Sequence, residues 1–139
     1  MNPGGWLEMQ ELCLPCRSDD GSLKDDSAMK RCWDLMVEAT IKLGVDATNP
    51  RHYDEWMREA GFVHVHTEIV KWPVNGWPTN QKEKTLGRWT HVNVLQGIQG
   101  FALGLLTRVL GWSVEEVELL LMDVRKDLQD TNIHAYWPL

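Results

Sequence analysis

The sequence predicts an α/β fold that is rich in helix and contains two or three strands. Three observations predict it. Residues 6–12 are an apolar segment that follows a Pro-Gly-Gly turn, and they are expected to form a strand. Apolar residues recur at helical spacing in several longer segments. Residues 62–72 are rich in β-branched side chains and directly follow a segment of helical pattern, so they predict another strand.

Composition and charge indicate one globular domain over residues 1–139. Hydrophobic residues make up 43% and charged residues 24% of the chain, which argues against disorder. The net charge of −6 disfavours binding to nucleic acid or to an anionic membrane. No apolar run approaches the ~20 residues of a membrane span, and no secretory signal is recognised, so a cytoplasmic or nuclear protein is expected. The three cysteines are an odd number, which favours free thiols.

The first predicted helix begins near Ser27, which can cap it, and ends at Gly44. A second helix is expected to start at Pro50 and to stop at Gly61. Its predicted inner stripe consists of Tyr53, Trp56, Met57 and Ala60.

The third predicted helix spans residues 81–110. Gly97, Gly100 and Gly104 fall on one of its faces, where another element or a ligand is expected to approach the backbone. Ser113 and Glu116 predict a capping box at the start of a fourth helix. Residues 133–139 are expected to lead into a further strand.

Several blocks, taken in order, resemble the C-terminal half of fungal class I S-adenosylmethionine (SAM)-dependent methyltransferases of the LaeA-like, secondary-metabolism type. The blocks are Pro3-Gly4-Gly5-Trp6-Leu7-Glu8, Leu14-Pro15, Arg17-Ser18-Asp19-Asp20-Gly21, Glu55-Trp56-Met57-Arg58-Glu59-Ala60-Gly61-Phe62, Thr107-Arg108-Val109-Leu110-Gly111-Trp112 and Ile133-His134-Ala135-Tyr136-Trp137-Pro138.

The resemblance implies a partial class I methyltransferase (Rossmann-like) fold. Residues 6–12 are its fifth strand, residues 62–72 its sixth, and the inserted helices form a lid over the substrate. The family's Gly-rich loop after the first strand, and the acidic residue that holds the cofactor ribose, have no counterpart in this sequence. No cofactor-binding residue is therefore assigned, and SAM is expected only if a partner chain supplies its site. Unpaired sheet edges predict completion by oligomerisation, as a homo-oligomer or as a heteromer with a SAM-binding chain.

Three functional hypotheses follow. In the first, the chain is the substrate-side half of a SAM-dependent methyltransferase, without its own SAM site. In the second, it is a cofactor-independent cyclase or isomerase of a fungal metabolite that uses the retained lid pocket. In the third, it is a non-catalytic interaction module, a pseudoenzyme. Whether the isolated chain is an enzyme is left open.

The candidate site residues lie in two segments. Trp89, His91 and Asn93 present polar groups beside apolar ones and are proposed to bind a hydrophobic substrate. Tyr136 and Trp137 could line the same cavity. His134 is the candidate general base, because an imidazole titrates near neutral pH.

Two other patterns resemble parts of metal sites, but neither is complete. Cys13 and Cys16 form a C-x-x-C pair, but no second pair accompanies them. His64 and His66 share one face of the predicted strand but lack an obvious third ligand. The sequence predicts no metal site.

Overall fold

The computed structural model describes residues 2–139, which form four α-helices, a 3-10 turn and two short strands. In chain order these elements are α1 (Ala28–Lys42), the 3-10 turn (Asn49–His52), α2 (Tyr53–Glu59), β1 (Lys71–Pro73), α3 (Gln81–Arg108), α4 (Val114–Gln129) and β2 (Tyr136–Pro138).

The helices α1, α3 and α4 pack against one another around the core. The Ser27 side chain accepts a hydrogen bond from the Lys30 N–H at the start of α1, and Ser113 and Glu116 form a capping box on α4, so both predicted caps are confirmed. Each of the three helices buries one apolar face. The largest fully buried core side chains on these faces are Met29, Ile98, Leu106, Val117, Leu121, Val124 and Leu128.

The two strands form an antiparallel pair that packs against α3. Lys71 lies opposite Pro138, and Trp72 lies opposite Trp137. Arg17 extends the pairing by an isolated antiparallel bridge to Tyr136 on the other edge of β2. The helix-rich α/β composition is therefore confirmed, and residues 133–139 themselves contain one of the strands.

Two strand predictions are wrong. Residues 6–12 are not a strand, and the strand predicted at residues 62–72 is reduced to its last part, with β1 ending at Pro73. A strand needs a hydrogen-bonded neighbour, and within residues 2–139 neither segment has one along its length. Both are consequently exposed: Trp6 is 91% and Val63 78% accessible to solvent.

The predicted inner stripe of the second helix is also not buried. The helix forms, as the 3-10 turn followed by α2, but none of its residues is in the core. Among the described helices and strands, α2 contacts only the 3-10 turn that precedes it. An apolar stripe is buried only where another element covers it, and here Trp56 remains 44% exposed.

On the expected glycine face of the third helix, no other described element approaches Gly100 or Gly104, and the close approach occurs nearer the start of the helix, at Gly87. A Cβ at Gly100 or Gly104 would meet no atom within 4 Å. At Gly87, by contrast, a Cβ would lie 1.9 Å from the carbonyl oxygen of Asn75. Gly87 is therefore the position at which α3 needs a glycine, because the loop of residues 74–80 crosses the helix there.

The three cysteines are free and buried, Cys13 and Cys16 beside β2 and Cys32 on α1. Burial raises the pKa of both Cys16 and Cys32 to about 12, so their thiols are protonated at neutral pH. Within residues 2–139, no three His, Cys, Asp or Glu side chains are grouped to hold a metal ion. None of the described helices is long and apolar enough to span a membrane.

Candidate substrate cavity

An open cavity of about 1070 Å³ lies between α1, α3, the strand pair and the segments on either side of α1. Its walls are dominated by aromatic rings, and we call it the aromatic cavity. The aromatic side chains that line it are Trp33, Tyr53, Trp72, Trp89, Phe101 and Trp137.

The helix α3 builds one wall of the aromatic cavity through a four-residue spacing, which keeps side chains on one helical face. The residues at this spacing are Trp89, Asn93, Gly97 and Phe101. Trp89 is 72% and Phe101 67% exposed, so two large rings of this wall remain open to solvent. Large apolar side chains left open at the mouth of a cavity are typical of a ligand site.

The strand pair builds the opposite wall with Trp72 and Trp137, which face each other across the two strands. The Trp72 indole N–H donates to the Thr90 hydroxyl at 2.5 Å, and that hydroxyl donates to the Leu86 carbonyl at 3.0 Å. Trp137 packs edge-on against Trp33, with ring centroids 5.2 Å apart. These contacts fix the orientation of the rings before any ligand is present.

The charged groups that line the aromatic cavity are two carboxylates, on Glu11 and Asp46. The Thr48 backbone N–H donates to Asp46 Oδ1 at 2.8 Å. Hydrogen bonds from Thr48 hold the pKa of Asp46 below its ordinary value, so this carboxylate is ionised at neutral pH. Asn93 and Thr90 contribute neutral polar groups.

The candidate base His134 lies in a different polar cluster. Its Nδ1 donates to Asp20 at 2.5 Å, and its ring lies against Trp77 with centroids 5.0 Å apart. Asp20 also accepts hydrogen bonds from the Ser18 hydroxyl and the Ser22 N–H. A His whose Nδ1 is held by a carboxylate keeps Nε2 available as a base.

Tyr136 belongs to the same side of β2 as His134. Its hydroxyl donates to Asp19 at 2.7 Å, and Asp19 also pairs with Lys71. Successive side chains of a strand point to opposite faces, so Tyr136 and Trp137 are directed to opposite sides. Of the proposed site residues, Trp89, Asn93 and Trp137 line the aromatic cavity, whereas His91, His134 and Tyr136 are not among its lining residues.

Sequence reasoning missed most of the lining residues, among them Trp72, Phe101, Glu11 and Asp46. Phe101 could have been found, because it continues the four-residue spacing from Trp89. Trp72 could have been found only from the pairing of the two strands. Glu11 and Asp46 lie in irregular segments that carry no periodic signal.

Acid is expected to weaken the cluster around Asp20. Hydrogen bonds from Ser18 and Ser22, and then from His134, hold the pKa of Asp20 well below its ordinary value near 4. A carboxyl group whose pKa is lowered by folding stabilises the fold above the unfolded-state pKa, and this contribution is lost as the pH falls below it. Asp20→Asn should therefore lower the free energy of unfolding at pH 7 and make it less dependent on pH below about pH 5. Urea denaturation across this range measures both effects.

Asp26→Asn is the matched control, because Asp26 is an exposed carboxylate in the same loop region. It should leave the pH dependence of unfolding as in the native protein. Equal pH dependence in Asp20→Asn and native protein would contradict the role given to the Asp20 cluster.

Comparison with known proteins identifies relatives along the whole chain. The chain is 45% identical over 139 residues to the probable methyltransferase tdiE of Emericella nidulans, and this match covers 100% of the chain and 44% of the relative. It is 37% identical over 135 residues to methyltransferase pytC of Aspergillus terreus, covering 97% of the chain and 42% of the relative. It is 34% identical over 137 residues to the secondary metabolism regulator laeA of Monascus pilosus, covering 98% of the chain and 37% of the relative.

The chain thus spans less than half the length of each of these relatives. No family model and no solved structure matches it. These relatives confirm the resemblance drawn from the sequence blocks, and the coverage is consistent with a C-terminal fragment of such proteins.

Proposed function

We propose that this chain, which is homologous over its whole length to LaeA-like fungal methyltransferases, forms the substrate-side half of a SAM-dependent methyltransferase of fungal secondary metabolism. The aromatic cavity holds the methyl acceptor, a hydrophobic small molecule. The helices α1 and α3 form the substrate lid around it. SAM binds to polypeptide outside residues 1–139, and the assembly acts in the cytoplasm or nucleus.

The observation that carries this proposal is the aromatic cavity itself. It is large enough for a drug-sized molecule, six aromatic rings line it, and it carries only a few polar groups. Such a cavity on a chain related to methyltransferases is suited to the acceptor rather than to the methyl donor.

The loop that joins β1 to α3, residues 74–80, supports placing SAM elsewhere. A SAM site requires a glycine-rich turn between a strand and a helix, where the backbone can approach the cofactor. This loop contains one glycine, and Val74, Asn75 and Pro78 in it are buried. Asn75 is buried, and the Trp77 indole N–H donates to the Ala135 carbonyl at 2.8 Å. These features support the proposal that SAM does not bind at residues 74–80.

A gap in the sheet supports completion by further polypeptide. The Cys13 N–H donates to the Pro138 carbonyl at 2.8 Å on one side of β2, and Val70 and Leu139 exchange two hydrogen bonds on the other. Residues 6–12 and 63–69 continue away from these contacts and border a cavity of about 290 Å³ beyond Leu139. We call this gap the strand slot.

A strand in the strand slot would lie between the two bordering segments. It would pair backbone groups that have no partner within residues 2–139. The proposal assigns this strand to the polypeptide that completes the methyltransferase, whether a homo-oligomeric copy or a SAM-binding partner.

Calorimetry with SAM tests where the cofactor binds. The 139-residue chain alone is expected to show no binding of SAM, because the backbone approach it needs is missing from residues 74–80. An affinity in the micromolar range would contradict the proposal and place a SAM site within these residues.

Native mass spectrometry of the protein from its source cells tests whether further polypeptide completes the methyltransferase. The expected species carries these residues in a larger assembly or a longer polypeptide, and it retains SAM or its demethylated product. A monodisperse 139-residue monomer in light scattering at micromolar concentration, with a bound metabolite and no SAM-binding chain, would contradict it.

A further inference from the structure

We propose that the aromatic cavity selects a planar aromatic molecule that carries a positively charged amine, and that it discriminates against anionic molecules of the same shape. This inference rests on the proposed function, since it specifies the class of molecule that the cavity accepts.

The aromatic walls provide the first argument. Trp72 and Trp137 face each other on the strand pair, and Trp89 and Phe101 stand on α3 across the cavity. Flat rings stack favourably on such faces, and the electron-rich face of an indole also attracts a cation. Because Trp72 is held by Thr90 and Trp137 by Trp33, little ordering of these rings is required on binding.

The distribution of charge provides the second argument. Glu11 and Asp46 are the ionisable acids among the lining residues, and no Lys, Arg or His lies among them. The nearest cationic candidates, Arg51 and His52, act on Asp46 but do not line the aromatic cavity. Arg51 Nε is engaged with the Thr48 carbonyl at 3.0 Å. An anion entering the cavity would therefore meet two carboxylates and no cationic side chain among the lining residues.

The position of Asp46 provides the third argument. The Thr48 N–H donates to one carboxylate oxygen at 2.8 Å, and the same side chain lines the aromatic cavity. The side chain is half-buried, so its field is less screened than that of a fully exposed carboxylate. Asp46 is thus placed to accept a hydrogen bond from an ammonium group on a ring stacked between the walls.

Three naphthalene compounds with the same ring and the same two-carbon linker test this selection. They are 2-(1-naphthyl)ethylamine, which is cationic, 2-(1-naphthyl)ethanol, which is neutral, and 3-(1-naphthyl)propionate, which is anionic. Calorimetry on the 139-residue chain is expected to show that the amine binds at least about tenfold more tightly than the propionate, with the alcohol between them. The indole N–H signals of Trp72 and Trp89 in ¹H–¹⁵N spectra should shift with each compound that binds.

Variants identify the groups that select the charge. Glu11→Gln combined with Asp46→Asn keeps the shape of both side chains, and the asparagine oxygen can still accept from Thr48. This double variant should bring the ratio of the amine and propionate affinities close to one while leaving the alcohol unaffected. Asp123→Asn is the control, since Asp123 is an exposed carboxylate on α4 that pairs with Lys126 outside the cavity.

The outcomes separate this inference from the function on which it rests. Equal affinities for all three compounds, or a ratio unchanged in the double variant, would overturn the charge selection while leaving the aromatic cavity as an acceptor site. Absence of binding by all three compounds would overturn both the selection and the assignment of the cavity.

Discussion

Replacing Gly87 by alanine is expected to destabilise the fold by about 3 kcal/mol, since overpacking against a fixed backbone is costly. The new Cβ would lie 1.9 Å from the Asn75 carbonyl oxygen and 2.7 Å from its carbonyl carbon. Neither atom belongs to a flexible side chain, so α3 and the loop of residues 74–80 would have to move apart. Alanine favours helix over glycine by only about 1 kcal/mol, so the clash outweighs the gain in propensity. Urea denaturation measures the difference.

Gly100→Ala is the matched control on the same helix. A Cβ there meets no atom within 4 Å, so this variant should gain about 0.5–1 kcal/mol from helix propensity alone. If Gly87→Ala were as stable as Gly100→Ala, the close crossing of α3 by the loop would be disproved.

Replacing Asn75 by aspartate is expected to cost about 3 kcal/mol at pH 7, because buried hydrogen bonds are lost and their carbonyl partners are left unpaired. Asn75 is 2% exposed, and its Nδ2 donates to the Leu128 carbonyl at 3.2 Å and to the Asp130 carbonyl at 3.1 Å. Its Oδ1 accepts from the Trp77 N–H at 3.0 Å. Aspartate retains only that last bond and directs a charge at two carbonyl oxygens.

The pH dependence distinguishes this mechanism from simple loss of packing. Burial beside carbonyls should raise the pKa of the introduced carboxyl group above its unfolded value, so the penalty is present at neutral pH and shrinks as the pH falls and the group is protonated. Denaturation of Asn75→Asp and of the control Asn49→Asp, at the start of the 3-10 turn, should therefore diverge at pH 7 and converge in acid. A constant difference would indicate that burial of a charge beside the two carbonyls does not contribute to the penalty.

Helices were predictable in this chain because their determinants are local. The cap at Ser27, the capping box at Ser113 and the apolar stripe of α4 are all encoded within a few residues. The strands were not predictable in this way, because the hydrogen bonds of a strand depend on a neighbour that is distant in sequence. Residues 62–72 have the composition of a strand, but only the part opposite β2 becomes one.

The lining of the aromatic cavity was predictable only in part, for the same reason. Trp89 and Asn93 were proposed because polar groups stand beside apolar ones in this segment, and both line the cavity, as does Trp137. His134 and Tyr136 were grouped with Trp137 because they are close in sequence, yet strand alternation directs Tyr136 to the opposite side from Trp137. The hydrogen bonds of His134 to Asp20 and of Tyr136 to Asp19 span more than a hundred residues, which no local pattern encodes.

The three buried thiols also provide internal reporters of structural opening. A thiol reacts with an alkylating reagent as the thiolate, so protonated and shielded Cys16 and Cys32 are protected until the structure around them opens. Cys16 and Cys32 both lie in the hydrophobic core, whereas Cys13 lies at the edge of β2, where its N–H donates to the Pro138 carbonyl. Alkylation rates, resolved for each cysteine by peptide mass spectrometry, can therefore distinguish local opening of the sheet edge from unfolding of the core in a chain without substitutions.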